Sequence, residues 1–149
     1  MKYKQYLKKL TPQELGYRKG RLKTGQYFYI SKLAIGTFFP ELSKDILNDK
    51  IRLVFNDPLC YGEIIEATFV YHNDLYAIEN GTRNEYRIYL NRDISKHDLH
   101  FEPSDIVKFQ WLDDKILDLS HYKKGHKEYD YYLQIIKENF ARGNHALLE

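Results

Sequence analysis

The sequence predicts an all-β fold: a barrel or sandwich of about seven short strands, with one short internal helix and one helix near the C-terminus. Three observations predict it. Short runs rich in β-branched and aromatic residues recur along the chain, each closed by Gly, Pro, Asn or Asp. The 14 tyrosines suit strands whose side chains pack at one end and stay wet at the other. Helical spacing of apolar residues is sustained only from Glu128 onward. At 149 residues and 43% apolar content, the chain is long enough for one domain with a real core and short for two.

The elements follow in order. Tyr3 to Leu10 places Tyr6 and Leu10 an even number of residues apart with Lys8 and Lys9 between them, so an amphipathic strand is the first choice and a short helix the alternative. Thr11-Pro12 ends it. From there to Gln26 the chain carries Pro12, Gly16, Gly20 and Gly25 among basic residues and no apolar period, which reads as a loop whose backbone can approach a ligand. Tyr27 to Ile30 is a strand, and Ser31 caps a short helix over Lys32 to Phe38 that stops near Pro40. Ile51 to Phe55 is the next strand, closed by Asn56-Asp57-Pro58. Glu63 to Tyr71 follows, and His72-Asn73-Asp74 turns it towards Leu75-Tyr76 and the Asn80-Gly81 turn. Arg83 to Leu90 is a strand, residues 93–98 a polar loop, and Phe101 to Asp105 a turn. Ile106 to Leu112 alternates cleanly and forms a hairpin with Lys115 to Leu119 across Asp113-Asp114. Tyr131, Leu133, Ile135, Ile136 and Phe140 mark a helix over Glu128 to Arg142; Gly143-Asn144 reads as its end, and Leu148-Glu149 as a terminal cloning scar. The expected organisation is a β domain over residues 1–120, then a linker and helix over 121–149 that pack on it or lead to a further domain.

The net charge of +2 conceals an asymmetry. Residues 1–24 hold eight Lys and Arg against Glu14 alone, a net of +7, which leaves −5 on the other 125 residues. Such a segment is either a polyanion-binding arm or a solvated basic face. Cys60 is the single cysteine, so neither an intramolecular disulfide nor a cysteine-based zinc site is open to it, and a buried thiol is expected. No apolar run approaches the ~18 residues of a membrane span, and Met1-Lys2-Tyr3-Lys4 leads into no signal-peptide core. A soluble, cytoplasmic protein with no membrane partner is the expectation.

Nuclease chemistry is the rival class. Asp113-Asp114-Lys115 matches the Asp/Glu-x-Lys half of a common Mg²⁺ site, so a small nuclease using Asp113 and Lys115 is the alternative reading. The middle position of that motif is ordinarily apolar and in a buried strand, whereas Asp114 sits at a turn signal. His121-Tyr122-Lys123 opens like the His-x-Lys of phospholipase-D-type nucleases, but no Gly-Ser-x-Asn follows. His72, His97 and His100 lack companion cysteines or spaced carboxylates.

The octapeptide Asn80 to Arg87 stands apart. After the Asn-Gly turn, Arg83, Glu85 and Arg87 share one side of an extended segment and Thr82, Asn84 and Tyr86 the other. An Arg fork fits O6 and N7 of guanine, and a carboxylate accepts from N4 of cytosine, so an Arg-x-Glu-x-Arg strand can read neighbouring G·C pairs. A solvated hairpin edge whose alternating charges pair with one another has the same pattern.

Thr82-Arg83-Asn84-Glu85-Tyr86-Arg87, set after Tyr71-His72-Asn73 and Gly81, resembles the Thr-Arg-Asn-Glu-x-Arg signature in the N-terminal effector domain of EcoRII-type restriction endonucleases. Tyr6 to Thr11 with the Gly-rich basic loop resembles that family's first strand and arm. Tyr29-Ile30-Ser31 through Phe39-Pro40 resembles its second strand and short helix. Ser104 to Phe109 is similar to a Gly-Asp-x-Val-x-Phe turn and strand, with Ser104 in place of Gly. The resemblance spans roughly residues 3–120. It implies a seven-stranded DNA-binding pseudobarrel of B3-like type with two arms that grip the major groove from both sides. The first arm would be Arg18 to Gln26, with Arg18, Lys19, Arg21, Lys23, Thr24 and Gln26 at phosphates and groove edges, joined by Lys8 and Tyr29; the second would be Gly81 and Thr82 through Arg87. Base reading is implied for Arg83, Glu85 and Arg87 with Asn84 and Tyr86 beside them, although Tyr86 stands where the type member carries a basic residue. The implied partner is double-stranded DNA with a short G·C-containing site. The implied role is the recognition domain of a restriction endonuclease whose catalytic domain lies elsewhere, itself without enzymatic activity, cofactor or metal.

Overall fold

The computed structural model describes residues 2–15, 17–18, 21–22, 27–56, 64–89, 101–139 and 143–149, with only the backbone for 17–18 and 21–22. Lys19, Lys23, Thr24, Gln26, Cys60, His97, His100 and the expected loop 93–98 lie outside them. The strands are β1 (Gln5–Lys9), β2 (Tyr17–Arg18), β3 (Arg21–Leu22), β4 (Tyr27–Ile30), β5 (Lys50–Asn56), β6 (Ile64–His72), β7 (Glu85–Tyr89), β8 (Ile106–Trp111), β9 (Ile116–Tyr122) and β10 (His145–Leu148). A 3₁₀ turn spans Lys32–Ala34; α1 is Asp74–Ala77 and α2 is Tyr129–Asn139.

Eight strands form one curled sheet in the order β10-β1-β8-β9-β5-β6-β7-β4, and β2-β3 make a separate ribbon. The main sheet therefore holds one strand more than expected from sequence, and that strand is β10. Residues 143–149, expected to be a helix end and a scar, return to pair antiparallel with β1, with Leu7 opposite Ala146 and Gln5 opposite Leu148. Four residues are too few to show a period, which is why the strand is invisible in the pattern. All pairings are antiparallel except β5 with β9.

Alternation sets the two faces. Tyr6, Phe28, Phe39, Phe55 and Phe109 point inward, and the Phe109 ring lies 5.7–6.0 Å from the other four. Trp111 closes one end of this core by donating Nε1–H to the Phe38 carbonyl at 2.9 Å. On the opposite face, Leu7, Ile106, Tyr122 and Ala146 form a second apolar cluster beneath Tyr129 and Ile136 of α2. α2 thus lies against the sheet, and β10 extends it.

Local departures have local causes. The helix after Ser31 is a single 3₁₀ turn: Ser31 Oγ accepts from Leu33 N, but Gly36 at φ +76° turns the chain back so that Ile35 and Phe39 bridge. Ser104, where the resemblance expects Gly, holds φ +75°, and the Tyr129 hydroxyl bonds its carbonyl at 2.7 Å. The expected loop 12–26 contains the β2-β3 ribbon, with Arg18 opposite Arg21. No helix among the described residues is long and apolar enough to cross a membrane.

The sheet does not close by strand pairing, because β10 and β4 are both edges. β4 and Ser31 just after it present three N–H groups to the gap, and each finds a partner across it. Tyr27 N donates to the Glu14 carbonyl at 3.1 Å, Tyr29 N to the Glu14 carboxylate at 2.7 Å, and Ser31 N to the Tyr6 hydroxyl at 3.1 Å. Burial raises the pKa of the Tyr6 phenol, against the pull of Ser31 N–H, so the hydroxyl stays neutral.

Phe109→Ala should cost about 3–5 kcal/mol in denaturant unfolding, since it empties the centre of the core. Leu112→Ala, at a half-exposed position just beyond β8, should stay within about 0.5 kcal/mol in the same measurement.

Candidate functional site

The outer face of β4, β7 and β6 carries Tyr29, Glu85 and Arg87 of the residues singled out from sequence. Register puts Tyr29 opposite Arg87, Tyr27 opposite Tyr89, and His72 opposite Glu85. Cross-strand neighbours on one face are close enough to bond. Arg87 Nη2 donates to Glu85, its Nη1 to the Tyr89 hydroxyl at 3.3 Å, and its guanidinium lies 4.1 Å from the Tyr27 ring centre. His72 Nε2 bonds the same Tyr89 hydroxyl at 2.7 Å. The Arg87 and Glu85 side chains are 20% and 23% exposed, so the pair is held in place yet open on one side. Among the described residues Arg87 Nε has no hydrogen-bond partner.

The second arm is braced from beneath. Asn73, fully buried, donates Nδ2–H to the carbonyls of Ser43, Lys44 and Ile46 and accepts from Asn48 N. One residue on, Asp74 accepts from Arg83 N with one oxygen and from Arg83 Nε at 2.9 Å with the other. Leu75 N returns a bond to the Arg83 carbonyl at 3.0 Å. Asn80 takes the left-handed conformation at φ +71° and Gly81 passes so close that a Cβ would sit 1.8 Å from the Asp74 carbonyl oxygen. This latch explains why β7 begins at Glu85, two residues later than the pattern suggested. Arg83 is 42% exposed, and its two terminal nitrogens have no partner among the described residues. Thr82 is exposed beside it.

Two residues expected to join the base-reading row face the other way. Tyr86 is buried and stacks on Tyr71 with ring centres 4.2 Å apart and planes 6° from parallel. Asn84 accepts from the Tyr71 hydroxyl at 2.8 Å and donates to that of Tyr76 at 2.9 Å. Both lie on the inward side of the alternation, and Tyr86 is part of the main core. The aromatic ring stands where the resemblance expects a cation because this position packs.

The first arm rises from a buried ion pair. Lys8 Nζ lies 2.8 Å from Glu14, with side chains 5% and 4% exposed. The same carboxylate accepts from Thr11 N at 3.1 Å and Thr11 Oγ at 2.9 Å, and Thr11 Oγ accepts from Glu14 N at 3.4 Å. These reciprocal bonds are those of a capping box. Lys8 was expected at the phosphates; it is turned inward by Glu14 and serves as the clamp at the arm's base. Burial lowers its pKa and Glu14 opposes that fall. Glu14 was not singled out from sequence, although Thr11-Pro12-Gln13-Glu14 carries the capping-box spacing that would have found it. His72, Asn73 and Asp74 stood out in the sequence only as a turn.

Between the Thr11–Glu14 turn and the sheet lies a concavity of about 850 Å³ lined by Lys8, Glu14, Tyr27, Tyr29, Glu85 and Asn144 among others. Tyr29 projects into it, 39% exposed. Arg18 and Arg21 lie on the ribbon, while Lys19, Lys23, Thr24 and Gln26 lie outside the described residues. Away from this face, Asp113 Oδ1 accepts from Lys115 N at 2.7 Å and Ile116 N at 2.9 Å. Those two bonds hold its carboxyl below the usual range. Asp113 thus shapes the β8-β9 turn.

No family profile matches the sequence, and no curated protein matches it either. Solved structures do match by fold. The chain resembles the N-terminal domain of Helicobacter pylori LlaJI.R1 with a TM-score of 0.62 at 15% identity, over 98% of each chain. It also resembles the B3 domain of the UbaLAI restriction endonuclease, crystallised with its cognate DNA, with a TM-score of 0.52 at 15% identity, over 97% of this chain and 85% of that one. The fold is thus of the B3 type.

Glu14→Ala should destabilise by about 3–5 kcal/mol, because it strands Lys8 and the Tyr29 N–H in a buried gap. Arg52→Ala, which breaks an exposed pair with Glu66 on β5-β6, should cost under about 1 kcal/mol. Both are read by denaturant titration.

Burial, helped by Arg83 and Arg87 at His72 and by Lys8 at His145, lowers both imidazole pKa values below the ordinary value. Between the folded and unfolded values the unfolded chain binds the extra protons, so stability is full above about pH 6.5 and falls as pH drops through that window. Thermal melts from pH 7.5 to 5 should show the fall, and His72→Gln should flatten it.

Proposed function

We propose that this chain is the recognition domain of a restriction endonuclease, which binds duplex DNA sequence-specifically with two arms in the major groove and leaves cleavage to a catalytic domain elsewhere. The observation that carries this reading is the placement of Glu85 and Arg87 on the outer side of β7 and of Arg83 on the segment leading into it, each braced by a partner and each still partly open. A braced fork loses little side-chain freedom on meeting a base, which favours affinity and fixes register. The B3-type fold, which UbaLAI's domain presents to its cognate DNA, supports the same assignment.

In this reading Arg83 and Arg87 donate to O6 and N7 of guanines and Glu85 accepts from N4 of cytosine, so the site is short and contains G·C pairs. Arg83 is the freest of the three, with its terminal nitrogens directed beyond the Asp74 latch. Arg87 must exchange its bond to Glu85 or Tyr89 for one to a base, a trade between charge-assisted partners. Gly81 and Thr82 bring the arm's backbone close. The β2-β3 ribbon supplies the other arm; a two-stranded ribbon is narrow enough for the major groove. Arg18, Lys19, Arg21, Lys23, Thr24 and Gln26 act there at phosphates and groove edges, which position the duplex without reading it. Tyr29 lines the floor between the arms, and Lys8, Asn84 and Tyr86 support the interface from within.

Selection from random duplexes should enrich a G·C-containing sequence. Arg83→Ala should then cost ~1–3 kcal/mol on the selected duplex and little on random DNA. Equal losses on both would remove Arg83 from base reading, and a thermal melt of the variant checks that the latch alone is not responsible. Arg21→Ala should weaken every duplex alike and make the log-log salt slope shallower by about one unit. An unchanged slope would take the ribbon out of the interface.

A further inference from the structure

The concavity has a wall that belongs to neither arm. The Gly143-Asn144-His145 turn lines it, across from Tyr29 and Glu85. This turn is fixed on β1 from both sides: Lys9 N donates to the Asn144 carbonyl at 2.6 Å, and His145 pairs with Lys8 in register. Gly143 holds φ +94°, and a Cβ there would lie 3.0 Å from the His145 ring, so the sharp turn over that imidazole calls for glycine. The turn therefore presents Asn144 outward on a rigid base. Its side chain is exposed and has no hydrogen-bond partner among the described residues.

The chemistry of that side chain is specific. A carboxamide offers an acceptor and a donor side by side, the complement of N6 and N7 on the major-groove edge of adenine. It lacks the charge by which Lys and Arg are drawn to phosphates. We infer that Asn144 is a base-reading residue on a third element of the interface, adding an adenine to the bases read by the 81–87 arm. The inference rests on the duplex-binding reading above.

The test is a parallel selection from random duplexes with the whole chain and its Asn144→Ala variant, followed by affinity measurements on the winners. The intact chain should enrich an adenine at one position, and the variant should leave that position degenerate while keeping the G·C positions. Binding of the variant to the intact chain's sequence should fall about tenfold or more. Its thermal midpoint should not move, since the side chain bonds nothing in the fold. An identical consensus with unchanged affinity overturns the inference, and so does uniform weakening on all duplexes, which would mark a backbone contact. If Arg83→Ala relaxes the consensus and Asn144→Ala does not, duplex recognition stands and the role of Asn144 falls. If the intact chain enriches nothing, both fall.

Discussion

The structure depends on how the free edge of β4 is satisfied. An eight-stranded sheet curled almost to closure leaves a seam, and a buried seam with unpaired N–H groups would cost several kcal/mol. Glu14 resolves it by reaching across with a carbonyl and a carboxylate, and Tyr6 completes it with a hydroxyl. A carboxylate so buried requires a counter-charge, and Lys8 is that charge. The same three residues that close the barrel, Glu14, Tyr6 and Lys8, also line the concavity. A conventional ninth strand in the gap would have sealed the barrel and removed the cleft. The polar seam leaves it open.

The two segments proposed as arms are built on different principles. The second is held by a latch in which one carboxylate, Asp74, fixes both the backbone and the guanidinium of Arg83, with Gly81 packed against the carbonyl behind it. The first is a two-stranded ribbon on a capping box. Between them, β4 and β7 present a strip on which Tyr27, Tyr29, Glu85, Arg87 and Tyr89 share one face. Charge on that strip is local and paired, Arg87 with Glu85, whereas the positive excess of the sequence lies in residues 1–24, which include β1 and the ribbon.

Much of the fold is legible in the sequence, because strands with one buried face alternate and turns carry Gly, Pro, Asn and Asp. The β8-β9 hairpin, β5, β6 and α2 stand close to where the pattern places them. What is illegible is short or non-local. β10 has four residues and pairs with β1, far away in the sequence; α1 is a single turn with no side-chain cap bond at Asn73, and its Leu75 N–H bonds the Arg83 carbonyl. At the site, alternation correctly separates Arg83, Glu85 and Arg87 from Tyr86, but motif likeness sets Tyr86 and Asn84 among the readers, where packing overrules it. Lys8 misleads for a related reason: a lysine in a basic segment looks solvated unless Glu14, six residues on, is seen to fold back over it.

β1 lies between β8 and β10, so its partners are Gln110 and its neighbours on one side and Leu148 and its neighbours on the other. β1 thus pairs only with β8 and β10, both far along the sequence. During synthesis the β5-β6-β7 meander can assemble from near neighbours, while β1 cannot pair until β8 has been made. Such high contact order predicts slow, late completion of the barrel, with Leu7 and Tyr6 exposed to chaperones in the interval.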